Sequence, residues 1–193
     1  DILVEYGANI LLIDIAHGHS LAMKRALALL NKKLWRSHVD IIAGNIATVE
    51  AAKDLESWGA DALRVGIGGG SMCTTRVMTG VGVPQLQTII DIAPEVNIPV
   101  ISDGGIRTSG DVAKCLAAGA DSVMIGSLFA GTDETPGEVI SDGRSENFFP
   151  QPRRQKIYRG SASLAAKRAN GQKTNNVEGA STLVDCKGPV SKV

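Results

Sequence analysis

A short phrase that recurs three times limits the folds open to this chain more than any other feature. Gly7-Ala8-Asn9 stands before ILLIDIA, Gly59-Ala60-Asp61 before ALRVGIG, and Gly119-Ala120-Asp121 before SVMIGSL. Glycine supplies the left-handed position that closes a helix, and the β-rich apolar run after it suits a strand covered on both faces. Each copy therefore predicts a helix ending and a buried strand beginning. Two further strands fit IIAGNI (41–46) and PVISDGG (99–105). Between strands, Leu21, Ala26, Leu27, Leu30 and Leu34 recur at helical spacing, with Lys24, Arg25, Lys32 and Lys33 on the opposite face. Thr48 and Ser109 stand where N-caps would open the next helices.

Five strands alternating with helices imply a parallel sheet, either doubly wound or part of a (β/α)8 TIM barrel. The barrel is favoured because polar or glycine clusters follow every strand: DIAHGHS, AGN, GIGGGS, SDGG and IGS. Functional residues at the C-terminal ends of several strands are that fold's signature. Five strands do not close it. After Gly137 the pattern changes to SDGRSENFFPQPRRQK, then YRGSAS, then KRANGQKTNNVEG. We expect residues 138–180 to form excursions over the barrel mouth, inside one partial domain covering 1–193. The chain opens on Asp1 and not Met, within an apparent helix, as a fragment would.

The balance of charge narrows the partners. Lys plus Arg and Asp plus Glu both total 20, so no net field draws the chain to nucleic acid or an anionic membrane. An anionic ligand must then be held by local geometry. Three widely spaced cysteines do not make a disulfide framework, and no apolar run is long enough to span a bilayer. The expected setting is cytoplasmic and reducing.

The chemistry concentrates in two places. In Gly66-Ile67-Gly68-Gly69-Gly70-Ser71-Met72-Cys73-Thr74-Thr75-Arg76, glycines permit close approach to a ligand and aim amides at an anion, and a cysteine follows directly. A thiol there is a candidate nucleophile, with a tight turn and an incidental buried cysteine as the bland reading. Cys115 differs: with Val112 and Leu116 it makes an apolar helical face and is expected in the core. Cys186 carries no signal of its own. Ser102-Asp103-Gly104-Gly105 and Ile125-Gly126-Ser127 end successive strands, a placement suited to a phosphate site, with Asp103 accepting from ribose hydroxyls. Asp14, His17 and His19 match no familiar zinc spacing. Arg153, Arg154 and Lys156 are most simply a solvated loop, with an RNA or nucleotide contact as the alternative.

From GIGGGSMCTTRVMTGVGVPQ (66–85) through ISDGGIRTSGDVAKCLAAGADSVMIGSLFAGTDETPGE, the sequence resembles the family of IMP dehydrogenases and GMP reductases. With LLIDIAHGHS and IIAGN the resemblance covers most of residues 1–138. It implies that the chain supplies strands four to eight of the barrel and that Cys73 attacks C2 of a purine monophosphate, assisted by Thr75 and Glu178. It implies substrate contacts from Ser71, Asp103, Gly104, Gly105, Gly126, Ser127, Tyr158, Gly160 and Ser161. It places the nicotinamide near Asp14, Ala16, His17, Asn45, Arg64 and Gly66, and a possible potassium ion on the carbonyls of Gly68, Gly70 and Cys73. A homotetramer acting on GMP or IMP, with no membrane or specific nucleic-acid partner, is also implied.

The tail separates the two enzymes within the resemblance. Dehydrogenases carry YRGMGS and then a long flap with an Arg-Tyr pair whose arginine activates water. Here Tyr158-Arg159-Gly160-Ser161-Ala162-Ser163 is followed by only fourteen residues before Glu178, with no Arg-Tyr pair. That text resembles bacterial GMP reductases, with NADPH as reductant; IMP dehydrogenase with NAD is the alternative. Gly69 and the insertion ENFFPQPRRQK depart from the usual pattern. An FMN-dependent barrel oxidoreductase and a non-catalytic nucleotide-binding protein are the remaining readings.

Overall fold

A computed structural model describes residues 2–34, 38–141, 153–171, 177 and 179–193. In chain order the elements are α1 (Ile2–Glu5), β1 (Ile10–Asp14), α2 (Leu21–Leu34), β2 (Asp40–Ile46), α3 (Val49–Ser57), β3 (Ala62–Val65), α4 (Thr75–Thr79), α5 (Gln85–Ile92), β4 (Val100–Asp103), α6 (Ser109–Ala117), β5 (Ser122–Met124), β6 (Ile140–Ser141), β7 (Arg154–Arg159), α7 (Leu164–Ala169) and β8 (Ser181–Asp185). They fall into two compact units, Asp1–Gly69 with Gly82–Met124, and Gly70–Val81 with Ile125–Val193.

The first unit is a five-stranded parallel sheet in the order β1-β2-β3-β4-β5. Each strand pairs with the next in sequence, without the reversal of order that marks a doubly wound sheet. This is the strand order of a partial TIM barrel, and among the described residues β1 and β5 leave it open at both edges. The recurring glycine phrase has a common geometry. Gly7, Gly59 and Gly119 lie at φ 90°, 90° and 107°, closing helices. The aspartates of two copies then clasp the neighbouring strand. Asp61 donates its N–H to the Ile41 carbonyl and accepts the Ile41 N–H on Oδ2; Asp121 does both with Val100. The core beneath is built from Met23, Leu27, Ile41, Leu55, Leu63, Val65, Ile89, Ile92 and Val100, none more than 2% exposed.

Two local expectations need correction. Thr48 caps α3 as expected, its hydroxyl accepting from the Ala51 N–H. For α6, however, Thr108 and not Ser109 is the cap: its hydroxyl accepts from the Asp111 N–H while Asp111 Oδ2 accepts from the Thr108 N–H. That reciprocal box requires a carboxylate three residues on, which only Thr108 has. Cys115 is 4% exposed, as expected of a core cysteine. Leu116 from the same proposed face is 45% exposed, so the buried stripe of α6 is narrower than its sequence indicates.

In the second unit β6, β7 and β8 make an antiparallel sheet in that order. The stretch expected as a solvated basic loop is largely this strand. Arg153 makes a two-point pair with Asp185 (2.8 and 3.0 Å), and Lys156 is only 6% exposed. Strand alternation turns Lys156 inward and leaves Ile157 57% exposed, the reverse of what hydropathy alone suggests. Among the described residues no helix is long and apolar enough to cross a membrane, and Cys73, Cys115 and Cys186 are free thiols.

Candidate functional site

Four consecutive strand ends of the first unit are joined by one polar network. Arg64, at the end of β3, sends Nη1 to Asp14 Oδ2 at the end of β1 (2.7 Å) and Nε to Asp103 Oδ2 at the end of β4 (2.9 Å). Asn45, from β2, donates Nδ2 to the same Asp103 oxygen (2.7 Å) and to the Gly66 carbonyl (2.8 Å). Arg64 and Asn45 are largely buried, so their bonds to Asp103 are shielded from water, whereas the Asp14 carboxylate at the other end of Arg64 is partly exposed. Among the described residues, Asn45 Oδ1 is buried with no hydrogen-bond partner. Such an acceptor is uncommon in a folded protein and marks a polar site.

Gly66 fits only as glycine. Its φ is +143°, and a Cβ there would lie 2.1 Å from the Asp103 carbonyl oxygen and 2.5 Å from Gln85 Oε1. Gln85 was not singled out by sequence reasoning. Its Nε2 donates to the Val65 carbonyl (2.8 Å) and to Ser102 Oγ (3.0 Å), stitching the ends of β3 and β4 from the start of α5. The only signal for it was a polar residue just after Pro84 at a helix start. Ala16 and His17 are exposed on the loop after β1. His19 pairs with Asp54 (2.8 Å) while Asp14 pairs with Arg64, and among the described residues no group of three or more His, Cys, Asp or Glu is arranged for a metal.

The second unit contains the cysteine. Cys73 is partly exposed in a turn closed by its own N–H on the Gly70 carbonyl (3.1 Å), and its Sγ lies 3.2 Å from Thr75 Oγ1 at the start of α4. The chain after Glu178 returns to this turn. Gly179 pairs with Cys73 on one side and with Ser163 on the other, and the Ala180 N–H donates to the Met72 carbonyl (2.8 Å). A Cβ on Gly179 would meet the Ser163 nitrogen at 2.7 Å, so the approach demands glycine. Glu178 itself lies outside the described residues.

Three expected phosphate contacts come together in the same unit. Tyr158 Oη lies 3.3 Å from Ser71 Oγ, and 2.9 Å from where a Cβ on Gly126 would stand. Gly126 begins a series of tight turns, its carbonyl accepting from Phe129 and Ala130. Ser127 is partly exposed beside it. Gly160 donates its N–H to the Ala180 carbonyl and packs against Met72, whereas Ser161 is exposed. Asp103, Gly104, Gly105 and Gly68 belong to the first unit. Sequence reasoning placed Lys156 in a solvated loop, whereas its Nζ is bound to the Thr132 carbonyl, and it missed Lys187, whose Nζ reaches the carbonyls of Ser127 (3.0 Å) and Leu128 (2.8 Å).

Comparison with known proteins joins these observations. All 193 residues match the family model described as IMP dehydrogenase / GMP reductase domain. Among similar proteins, an inosine-5'-monophosphate dehydrogenase of Chlorobaculum parvum is 52% identical over 169 residues, covering 86% of this chain and 32% of its own length. A GMP reductase of Leishmania major is 43% identical over 205 aligned residues, covering 99% of this chain and 40% of its own. An inosine-5'-monophosphate dehydrogenase of Nitrosopumilus maritimus is 45% identical over 207 aligned residues, 99% of this chain and 41% of its own. The chain thus spans about a third to two fifths of the length of these curated relatives. A parallel sheet in barrel order, a cysteine in a glycine-rich turn and a match along the entire sequence place the chain in the IMP dehydrogenase / GMP reductase family.

Proposed function

We propose that the protein containing this chain is a GMP reductase, converting GMP, NADPH and two protons to IMP, NADP and an ammonium ion. The observation that carries this reading is the short link between Ser163 and Glu178, which contains no Arg-Tyr pair. A dehydrogenase must bring an activated water to the covalent intermediate. A reductase needs only loss of ammonia and hydride transfer at one site.

In this reading Cys73 thiolate adds to C2 of the purine. With protons handled by Thr75 and Glu178, the C2–N bond breaks and ammonia leaves, giving a thioimidate. The reduced nicotinamide, when bound, supplies the hydride that C2 accepts. The C2–S bond then breaks, returning its electron pair to sulfur and leaving IMP. The 3.2 Å contact between Cys73 Sγ and Thr75 Oγ1 supports a paired role for those two residues. Pairing of Gly179 with Cys73 supports one for Glu178, which precedes it in sequence.

Within the second unit Ser71, Gly126, Ser127 and Tyr158 would contact the phosphate and Gly160 and Ser161 the substrate; within the first, Gly105 would contact the phosphate, Gly104 the substrate and Asp103 the ribose. Asp14, Ala16, His17, Asn45, Arg64 and Gly66 would border the nicotinamide, for which the unpaired Asn45 Oδ1 is a fitting acceptor. The carbonyls of Gly68, Gly70 and Cys73 are hard oxygen donors suited to potassium. The Gly70 oxygen keeps a second lone pair beside its bond from Cys73, so such an ion would brace the cysteine turn.

The test is product analysis on the full-length protein. GMP-dependent oxidation of NADPH with IMP as product, slowed strongly by Glu178→Gln, is expected. Sustained XMP formation from IMP and NAD, without GMP-dependent NADPH oxidation, would overturn the reading for a dehydrogenase, the activity named for the 52% identical relative.

A further inference from the structure

Lys156 places a cation where burial is costly. The side chain is 6% exposed, yet its Nζ donates to the carbonyls of Thr135 (2.7 Å), Thr132 (2.8 Å) and Asp133 (3.3 Å). A protonated lysine has three donors, and here three acceptors converge on them. Among the described residues no carboxylate forms a salt bridge with it. Desolvating an ammonium group without a counter-charge is unfavourable, so a simple apolar fill of this position would serve the core better. The group is placed to hold something.

What it holds follows from the strand. Residues i and i+2 share a face of β7, so Lys156 and Tyr158 both point inward, roughly 7 Å apart along the chain, while Ile157 between them faces out. The three carbonyls belong to the far end of the turn series that begins at Gly126. Phe129 and Ala130 donate to Gly126, Thr132 donates to Phe129, and Thr135 donates to Thr132. At the near end of that series is Gly126, beside Tyr158 Oη. Lys156 therefore ties one end of the series to the strand that brings Tyr158 to the other end. Lys187 adds a second tether, with Nζ on the Ser127 and Leu128 carbonyls and its N–H on the Gly131 carbonyl.

We infer that Lys156 is the positioning residue that fixes Tyr158 against Ser71 and Gly126, and through them sets affinity for the phosphate of a purine nucleotide. The inference rests on the reading of Ser71, Gly126 and Tyr158 as phosphate contacts. Freed from the turn, β7 slides, and the hydroxyl that must meet the phosphate is displaced though no ligand contact of its own has been removed.

The test is calorimetric binding of GMP and of guanosine, which lacks the phosphate, to the full-length protein and its variants. Tyr158→Phe should weaken GMP and leave guanosine unchanged. Lys156→Met should do the same, by roughly tenfold, as loss of one charge-assisted contact predicts. The double variant should be no worse than the stronger single one, and Lys156→Gln, which keeps amide donors for the carbonyls, should recover part of the loss. If Tyr158→Phe leaves GMP affinity unchanged, the phosphate-site reading falls. If Tyr158→Phe weakens GMP selectively but Lys156→Met has no effect, or weakens GMP and guanosine alike, the positioning role is refuted. Failure of both Lys156 variants to fold would also refute it, by making Lys156 a folding determinant.

Discussion

Replacing Gly66 with alanine tests whether the strand-end network is a fitted assembly or a loose collection of polar side chains. The added Cβ would stand 2.1 Å from the Asp103 carbonyl oxygen, against a floor of 3.0 Å for real Cβ contacts, so a gap of about 0.9 Å must be opened. Gln85 Oε1, at 2.5 Å, can swing away only by disturbing the bonds from Nε2 to Val65 and Ser102. The Asp103 backbone cannot swing. Displacing it by this amount stretches the 2.7 and 2.9 Å bonds from Asn45 and Arg64 past hydrogen-bonding range. Loss of one such bond costs about 1.5–3 kcal/mol, and a side chain at φ +143° adds about 1–3 kcal/mol. The expected destabilisation is about 2.5–6 kcal/mol. Urea unfolding of the full-length protein should show a midpoint lowered by roughly 1.2–3 M for an m-value of about 2 kcal/mol/M. Gly69→Ala is the control: its Cβ would meet nothing nearer than 3.4 Å, and little change is expected. A Gly66→Ala midpoint indistinguishable from that of Gly69→Ala would refute the reasoning.

On the proposed reading, Cys73→Ala should abolish turnover and leave GMP binding largely intact, since the proposed phosphate and ribose contacts do not use sulfur; steady-state kinetics with calorimetry checks both, and normal turnover would exclude covalent catalysis. Cys115→Ala removes a buried sulfur that accepts from Ser102 Oγ, and should cost roughly 1 kcal/mol or somewhat more while leaving catalysis alone, read by denaturation and the same assay. Asp185 has its carboxyl held below the ordinary 3.8 by the hydrogen bond from Arg153, assisted by Gln155. Because the folded value lies below the unfolded one, its stabilisation is full above pH 3.8 and is lost as pH falls through the lower folded value. Asp185→Asn should therefore unfold at a slightly lower denaturant concentration than the parent at neutral pH. That gap should close in acid; a gap that persists unchanged would remove the ion pair as its cause.

The parallel sheet was legible because one local device is used repeatedly. A left-handed glycine, then alanine, then a residue able to bond the next strand over, is a short-range pattern with a short-range cause. The antiparallel sheet was not. β6 has two residues, and β7 turns a lysine in and an isoleucine out, so hydropathy alternation points the wrong way. Only the three carbonyls from residues 132–135 make the inward lysine tolerable, and they lie more than twenty positions back in the chain. The Thr108 cap lies between these cases: its partner Asp111 is near enough to count to, but Ser109 offers an equally acceptable hydroxyl until the carboxylate is considered.

For the strand-end residues, sequence supplies the cast and sheet order supplies the contacts. In a parallel sheet joined in sequence order, successive strand ends stand about 4.8 Å apart, so Asp14, Asn45, Arg64 and Asp103 form a row in chain order. Side-chain reach then selects the partners. Asp103 is one strand from Arg64, while Asp14 is two strands away, roughly 10 Å, a span suited to a long guanidinium with several donors. Asn45 likewise crosses β3 to reach Asp103 on β4. Both donors end on the same oxygen, Asp103 Oδ2, so the loops after four strands are referred to one carboxylate. A lysine in place of Arg64 would carry the charge but lack the planar fork that serves Asp14 and Asp103 together. The identity of each residue is thus readable from its strand. The reason each must be that residue depends on a neighbour two strands away, which no local pattern contains.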